Sequence, residues 1–169
     1  MKRRQWMQLS ACALGSATTP VLRAQGLEPA VGASPATPIR FESLLVDLPL
    51  NLKKELQDWA PGGMPVMTGL TLELPELVDN GNDVRLRVAV ESPMTPQHHV
   101  RRLAVWAPRN PQALVLEAVF TPLVARAELV TRIRLSSTQR LLALAELSNG
   151  EVRCAAMSVL VALAACIEA

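Results

Sequence analysis

From residue 66 onward, short apolar runs alternate with turn-forming residues, and this pattern limits the possible fold more than any other feature of the chain. The runs are rich in Val, Leu and Ile, and many alternate apolar with polar side chains, which is typical of half-buried strands. In VRLRVAV the apolar positions 84, 86, 88 and 90 fall on one face of a strand, opposite Arg85 and Arg87. The other runs are VMTGLTLEL, VRRLAVWA, ALVLEAVF, AELVTRIRL, RLLALAEL and EVRCAAMSVLVALA, and the breaks include PELVDNGND, SPMTPQH, PRNP, TPLVAR, SSTQ and SNG.

About seven strands with a turn every ten residues or so predict an all-β fold, namely an immunoglobulin-like antiparallel β-sandwich. A barrel of similar strand count is the alternative. One helix is predicted before the strands, in LPLNLKKELQDWAPGG, where Leu52, Leu56 and Trp59 share one side and PGG ends the helix.

The N-terminus has the features of an export signal. It opens with MKRRQW, continues through a mildly apolar stretch and reaches Ala24, a plausible cleavage residue. The paired arginines favour a twin-arginine signal, and hence a bacterial protein exported to the periplasm. The stretch is too short to span a bilayer, which takes about 20 apolar residues. Lipoprotein processing at Cys12 is a weaker alternative, because few residues would separate the arginines from the cut.

Three segments are therefore predicted: a signal peptide over 1–24, a leader with the short helix over 25–66, and the sandwich with a C-terminal cysteine arm over 67–169. Cleavage removes four basic and no acidic residues, so the formal charge of +2 becomes −2. A weakly acidic protein is a poor match for nucleic acid, and no membrane anchor is expected.

Few residues could support catalysis or bind a metal. His98 and His99 are adjacent in a predicted turn and point to opposite faces, so they make a poor chelate. No glycine-rich phosphate loop follows a strand, and no Ser-His-Asp set can be proposed. The sequence predicts no catalytic residue, no metal site and no cofactor.

Two cysteines remain after cleavage, Cys154 inside the last run and Cys166 near the C-terminus. Cys154 is predicted to be a small, half-buried side chain. Twelve residues of continuous strand span about 40 Å, whereas disulfide-bonded Cα atoms lie within about 7 Å. The two thiols are therefore not expected to pair, which leaves Cys166 for an intermolecular bond or for chemistry.

Four motifs in register, PELVDNGNDV, ESPMT, TRIRLSSTQ and LALAELSNGEV, resemble SoxY, the carrier subunit of bacterial thiosulfate oxidation. The resemblance covers about Gly69 to Cys166. It implies a periplasmic immunoglobulin-like sandwich that pairs with a second β protein, SoxZ. It also implies that Cys166 binds the substrate covalently: a haem enzyme joins sulfur substrate to the thiol, a hydrolase releases sulfate, and the carrier itself is not an enzyme.

The sequence departs from this family around the thiol, where SoxY chains have two glycines before the cysteine and two after it. Here Ala164 and Ala165 precede Cys166, and IEA follows it. Alanine and isoleucine restrict the backbone and widen the arm. The chain is then either a functional variant with different partner channels or a divergent paralogue.

An alternative function is a periplasmic interaction or assembly module in which Cys166 is structural or forms an interprotein disulfide. A carrier needs Cys166 exposed on an unpacked arm, whereas a structural cysteine would have residues 163–167 docked in the sheet. The run VLVALAACI is apolar, and an unpaired terminal run of this kind would favour association with a partner. A thiol enzyme ranks last, because Cys166 has the acidic Glu168 beside it in place of a base.

Overall fold

The computed structural model of the protein describes residues 40–60 and 64–166. The predicted signal peptide over 1–24 and the leader before residue 40 lie outside the described residues, so both stay predictions. No helix in the described part is long and apolar enough to cross a membrane.

Two short helices precede the strands: α1 (Phe41–Leu45) and α2 (Leu50–Trp59). The predicted helix is confirmed by α2, which buries Leu52, Leu56 and Trp59 on one side. Helix α1 was not predicted, because it has five residues and buries only two of them, too few to show a helical period.

Eight strands form two sheets, which confirms the predicted β-sandwich. The smaller sheet has the order β1-β3-β6, and the larger has the order β2-β8-β7-β4-β5. The strands are β1 (Leu70–Glu73), β2 (Leu77–Asn80), β3 (Val84–Val90), β4 (Val100–Trp106), β5 (Leu114–Val119), β6 (Ala127–Ile133), β7 (Gln139–Leu147) and β8 (Val152–Leu163).

Strand β2 corrects the prediction of purely antiparallel pairing and is the eighth strand, where about seven were predicted. It lies inside the predicted break PELVDNGND and pairs in parallel with β8, with Leu77 opposite Leu160. Its four residues bury only Val78, so they show no alternation. Since β8 lies between β2 and β7, the apolar C-terminal run is an interior strand and not an unpaired terminal run.

The larger sheet is covered on both faces at one end. Its inner face packs against the smaller sheet through residues such as Leu103 and Leu141, which are fully buried. Its outer face packs against α1 and α2 through Trp106 and Leu144. Strands buried on both faces lose the alternation of polar and apolar residues, which explains the nearly continuous apolar sequences of β4 and β7.

An aromatic cluster fixes α2 on the outer face. The rings of Trp59 and Trp106 meet edge to face, with centroids 5.4 Å apart. The indole N–H of Trp106 donates a hydrogen bond to Glu55 at 2.8 Å, and the Arg102 guanidinium lies 3.9 Å from the centre of the Trp59 ring. These directional contacts add to the burial of apolar surface and set the position of the helix.

The helices leave the other end of the outer face uncovered. Cys154 and Ala156 of β8 lie under the helix layer, but farther along the same face Leu160 is 59% exposed and its β2 partner Leu77 is 62% exposed. Strand β8 therefore runs from a covered half into an uncovered half, and Cys166 follows the uncovered half.

Candidate functional site

Cys166 is exposed, and it stands three positions after the last residue of β8. Directly before it, the Ala165 N–H donates a hydrogen bond of 3.0 Å to the carbonyl oxygen of Leu135. Ala165 is only 7% exposed. The chain is thus held against the body of the protein up to the residue that precedes the thiol.

Gly81, in the turn between β2 and β3, is hydrogen-bonded through its backbone both to the end of β8 and to the segment around Leu135. Its N–H donates to the Leu163 carbonyl oxygen at 2.8 Å, and its own carbonyl accepts from the Leu135 N–H at 2.8 Å. A Cβ at position 81 would lie 2.3 Å from the Leu135 oxygen and 2.9 Å from the Ala165 nitrogen. A residue without Cβ is required here, because the three backbone segments approach so closely.

A buried polar network steadies the connections around Leu135. The Asn110 side chain donates to the Arg134 carbonyl at 2.8 Å and accepts from the Ser136 N–H and the Gln139 side chain, each at 3.0 Å. Asn110 and Gln139 are 8% and 5% exposed. Sequence reasoning missed this network, although both residues stand in or beside predicted breaks, PRNP and SSTQ. Buried, satisfied networks of this kind hold loops in one arrangement.

The exposed thiol expected of a carrier and the docked backbone expected of a structural cysteine therefore occur together. Cys166 is exposed, as a carrier requires, and the backbone is docked through Ala165, as a structural cysteine would require. Residues 167–169 lie outside the described residues, so the substrate-binding role of Cys166 stays a prediction at this point.

Cys154 is fully buried, more deeply than the sequence predicted. It lies opposite Leu144 of β7, on the face covered by the helices. Burial raises the pKa of this thiol from 9.0 to about 12, because a thiolate cannot be solvated there. The sequence could not predict this, because the cover comes from helices about a hundred residues earlier in the chain.

The two cysteines in the described part of the chain are free thiols. The strand between them is continuous from Val152 to Leu163. The continuous strand supports the prediction that the two thiols do not pair with each other. An extended strand keeps its ends too far apart for a disulfide.

His98 and His99 are half-buried rather than solvated. The His99 Nδ1 lies 3.1 Å from the Thr95 carbonyl oxygen, and the buried His98 Nε2 has no hydrogen-bond partner among the described residues. Over the same residues, no group of three or more His, Cys, Asp or Glu side chains is arranged to hold a metal ion.

A comparison with protein-family models identifies the family. The model described as sulfur oxidation protein SoxY matches residues 61–166, which is more than half of the chain. The chain belongs to the SoxY family. Membership confirms the resemblance seen in the four motifs and agrees with the expectation of a carrier subunit in place of an enzyme.

Solved structures share the fold at low sequence identity. The sulfur carrier protein SoxY from Chlorobium limicola f thiosulfatophilum is 22% identical, with a TM-score of 0.53 over 65% of this chain and 94% of that chain. A single-residue variant of the superoxide reductase (neelaredoxin) from Ignicoccus hospitalis is 21% identical, with a TM-score of 0.50 over 64% of this chain and 96% of that chain. No curated protein matches the chain.

Likeness at these identities shows the fold alone. Proteins titled as a carrier and as a reductase share this sandwich, so the fold does not determine the activity. The function has to be argued from the family and from the residues around Cys166.

Proposed function

We propose that the protein is a periplasmic carrier that holds sulfur substrate covalently on Cys166 during thiosulfate oxidation. One observation carries the proposal within the SoxY family: of the two thiols in the described residues, Cys166 is exposed at the end of an anchored segment and Cys154 is buried. On this proposal the enzymes act on the protein as their substrate, and no residue in the described part of the chain is assigned a catalytic role.

The proposed chemistry begins with loading. The Cys166 thiolate and the outer sulfur of thiosulfate form an S–S bond, and two electrons pass to a haem enzyme, which is reduced. A hydrolase then adds water to the terminal sulfonate, which releases sulfate and two protons and leaves a persulfide on Cys166. Both steps need a thiol that reaches into an enzyme's active site, and only an exposed thiol can do so.

The anchoring pattern suits this task. Rigid attachment through Ala165 fixes where the thiol leaves the sandwich, and the exposed Cys166 extends beyond that point. A defined exit point places the thiol consistently against several enzymes, which favours productive geometry. The buried Cys154 cannot compete for the substrate, since burial keeps its pKa near 12 and the thiol protonated.

The proposed function implies three partners, namely a SoxZ-like subunit, the haem enzyme and the sulfate-releasing hydrolase. The N-terminal pattern of residues 1–24 supports export to the periplasm.

The docked backbone favours a second candidate function. Alanine replaces the family's glycines at positions 164 and 165, and Ala165 is buried and hydrogen-bonded. A non-carrier assembly module would keep this docking and would use Cys166 only for an interprotein disulfide, or not at all.

A loading reaction tests the proposal. The protein without residues 1–24 is incubated with thiosulfate and the purified haem enzyme of the same system, and the intact mass is measured. We expect a reductant-sensitive adduct on the wild type and on Cys154→Ala, and none on Cys166→Ser. An adduct that persists on Cys166→Ser, or a wild type that stays unmodified while the haem enzyme loads a glycine-flanked SoxY chain, would contradict the carrier function.

A further inference from the structure

The uncovered half of the outer face contains a groove, here called the β8 groove. It consists of two adjoining depressions of about 460 and 450 Å³. One lies beside the α1–α2 connection and the other beside β2. Arg140, Ser158 and Leu160 line both depressions, so the two form one continuous surface.

The β8 groove and the reactive thiol lie on the same strand and its extension. Leu160 precedes Cys166 by six residues, which is about 20 Å of extended chain. The segment between them is held by β2 and by the Leu135 hydrogen bond. A protein bound in the groove would therefore meet the thiol at a fixed separation.

Two arginines, Arg109 and Arg140, line the groove. None of the ion pairs among the described residues includes Arg109 or Arg140. The Arg109 guanidinium is held by the Thr138 carbonyl at 2.7 Å, and Arg140 makes only a long contact of 3.4 Å to the Ser158 hydroxyl. Unpaired guanidinium groups bind carboxylates in a bidentate geometry.

Carboxylates of the protein itself are also present. Asp47 lines one depression and Glu76 the other, whereas Arg140 lines both and stands where the two meet. Arg140 thus stands in the middle of the groove, whereas Arg109 lies in the same depression as Asp47. The Arg140 guanidinium attracts an acidic group of a partner to this point, and Glu76 repels such a group from the depression beside β2.

Apolar side chains lie in and beside the groove. Leu160 and Leu77 are exposed side by side across the β2–β8 pair. Apolar side chains beside arginine are the combination found where protein partners bind. The groove is open and mixed in character, which fits a partner that binds and leaves better than a permanent subunit.

We propose that the β8 groove is the docking site for the enzymes that load and unload Cys166, and that it accepts an enzyme segment with an apolar side chain beside a carboxylate. This inference rests on the proposed carrier function. The apolar side chain packs on Leu160, and the carboxylate pairs with Arg140. Both enzymes use one site, so only one can hold the carrier at a time.

Two matched pairs of variants test the docking site. Arg140→Glu and Leu160→Asp change the groove, while Arg85→Glu and Val130→Asp make the same changes at exposed positions on β3 and β6 of the other sheet. With the purified haem enzyme, we expect the groove variants to raise the KM for the carrier about tenfold with kcat unchanged, an effect of the size seen when an interface residue is lost. The control variants keep the wild-type KM, and Arg140→Lys falls in between.

Three further readouts separate docking from other roles. Alkylation of Cys166 by a small thiol reagent stays at the wild-type rate in every variant, because no docking is involved. The KM of the wild type rises with added salt, and that of Arg140→Glu rises less. The hydrolase shows the same pattern and competes with the haem enzyme for the carrier.

Specific results would overturn the inference. An unchanged KM for the groove variants would overturn it, and so would an equal rise in KM for the control variants. Loss of the SoxZ-like subunit from the groove variants, seen by size-exclusion chromatography, would reassign the groove to that subunit. A wild type that no enzyme loads contradicts the carrier function itself, and with it the stated occupant of the groove.

Discussion

The two halves of β8 place two thiols in opposite environments. The first half lies under α2, where Cys154 is buried and its pKa is raised to about 12. The second half is bare on the same face and leads to the exposed Cys166. Twelve positions along the chain thus separate an inert thiol within β8 from an accessible one just after it, and the cover from the helices makes the difference.

The largest expected effect is on thiol reactivity. A pKa raised from 9.0 to about 12 lowers the thiolate fraction of Cys154 about a thousandfold. We expect iodoacetamide to alkylate Cys166 readily in the native protein and Cys154 at least about a thousandfold more slowly than in the unfolded chain. Peptide mapping of timed samples measures both rates. Fast labelling of Cys154 in the native protein would show that the helices do not protect this thiol.

The second largest effect is expected when the packing of α2 over Cys154 is weakened. Leu56 of α2 is fully buried in the cluster that includes Cys154, so Leu56→Ala should lower the free energy of unfolding by about 2–5 kcal/mol. It should also speed the labelling of Cys154 and leave that of Cys166 unchanged. The exposed helix residue Leu50 offers a control, as Leu50→Ala. Equal labelling of Cys154 in both variants would mean that α2 does not protect it.

The anchor of the second half can be tested at Gly81. The Cβ of Gly81→Ala would lie 2.3 Å from the Leu135 oxygen, and relieving this clash should cost about 1–3 kcal/mol of stability. We expect faster hydrogen exchange at the Ala165 amide. The matched variant Gly150→Ala has open space around its Cβ, although its positive φ adds strain of its own. Unchanged exchange at Ala165 in Gly81→Ala would show that the anchor is not needed.

The smallest expected effect is the loss of stability over the first pH unit above 9. Because burial raises the pKa of Cys154 from 9.0 to about 12, above pH 9 the unfolded chain loses the thiol proton that the folded chain keeps. Stability from this group is complete below the unfolded pKa and falls as pH rises, by about 1.4 kcal/mol per pH unit. Chemical denaturation of the wild type and of Cys154→Ala measures the difference. Parallel profiles of the two proteins above pH 9 would contradict the shift.

Local patterns in the sequence predicted the elements that carry their own signal. Leu52, Leu56 and Trp59 recur at helical spacing, so α2 was found, and alternation in VRLRVAV revealed β3. Strand β2 and helix α1 were missed because each is short and buries only one or two residues. Their pairing and packing depend on distant segments, which no local period shows.

The surroundings of the two cysteines were predicted only in part, again because they depend on contacts between distant segments. The sequence singled out Cys166 near the end of the last strand but left open whether it is exposed or docked. The structure shows an exposed Cys166, and the docking of Ala165 depends on Leu135 and Gly81, far away along the chain. The depth of Cys154 likewise depends on α2. Contacts between distant segments decide burial, and a single sequence does not display them.

The carrier function can be tested by the intact mass of the protein purified without reductant from cells grown on thiosulfate, with peptide mapping of Cys154 and Cys166. We expect a sulfur-containing adduct on Cys166 that a reductant removes, and an unmodified Cys154. A bare Cys166 thiol, or a disulfide from Cys166 to another protein, would contradict it and would favour the assembly module.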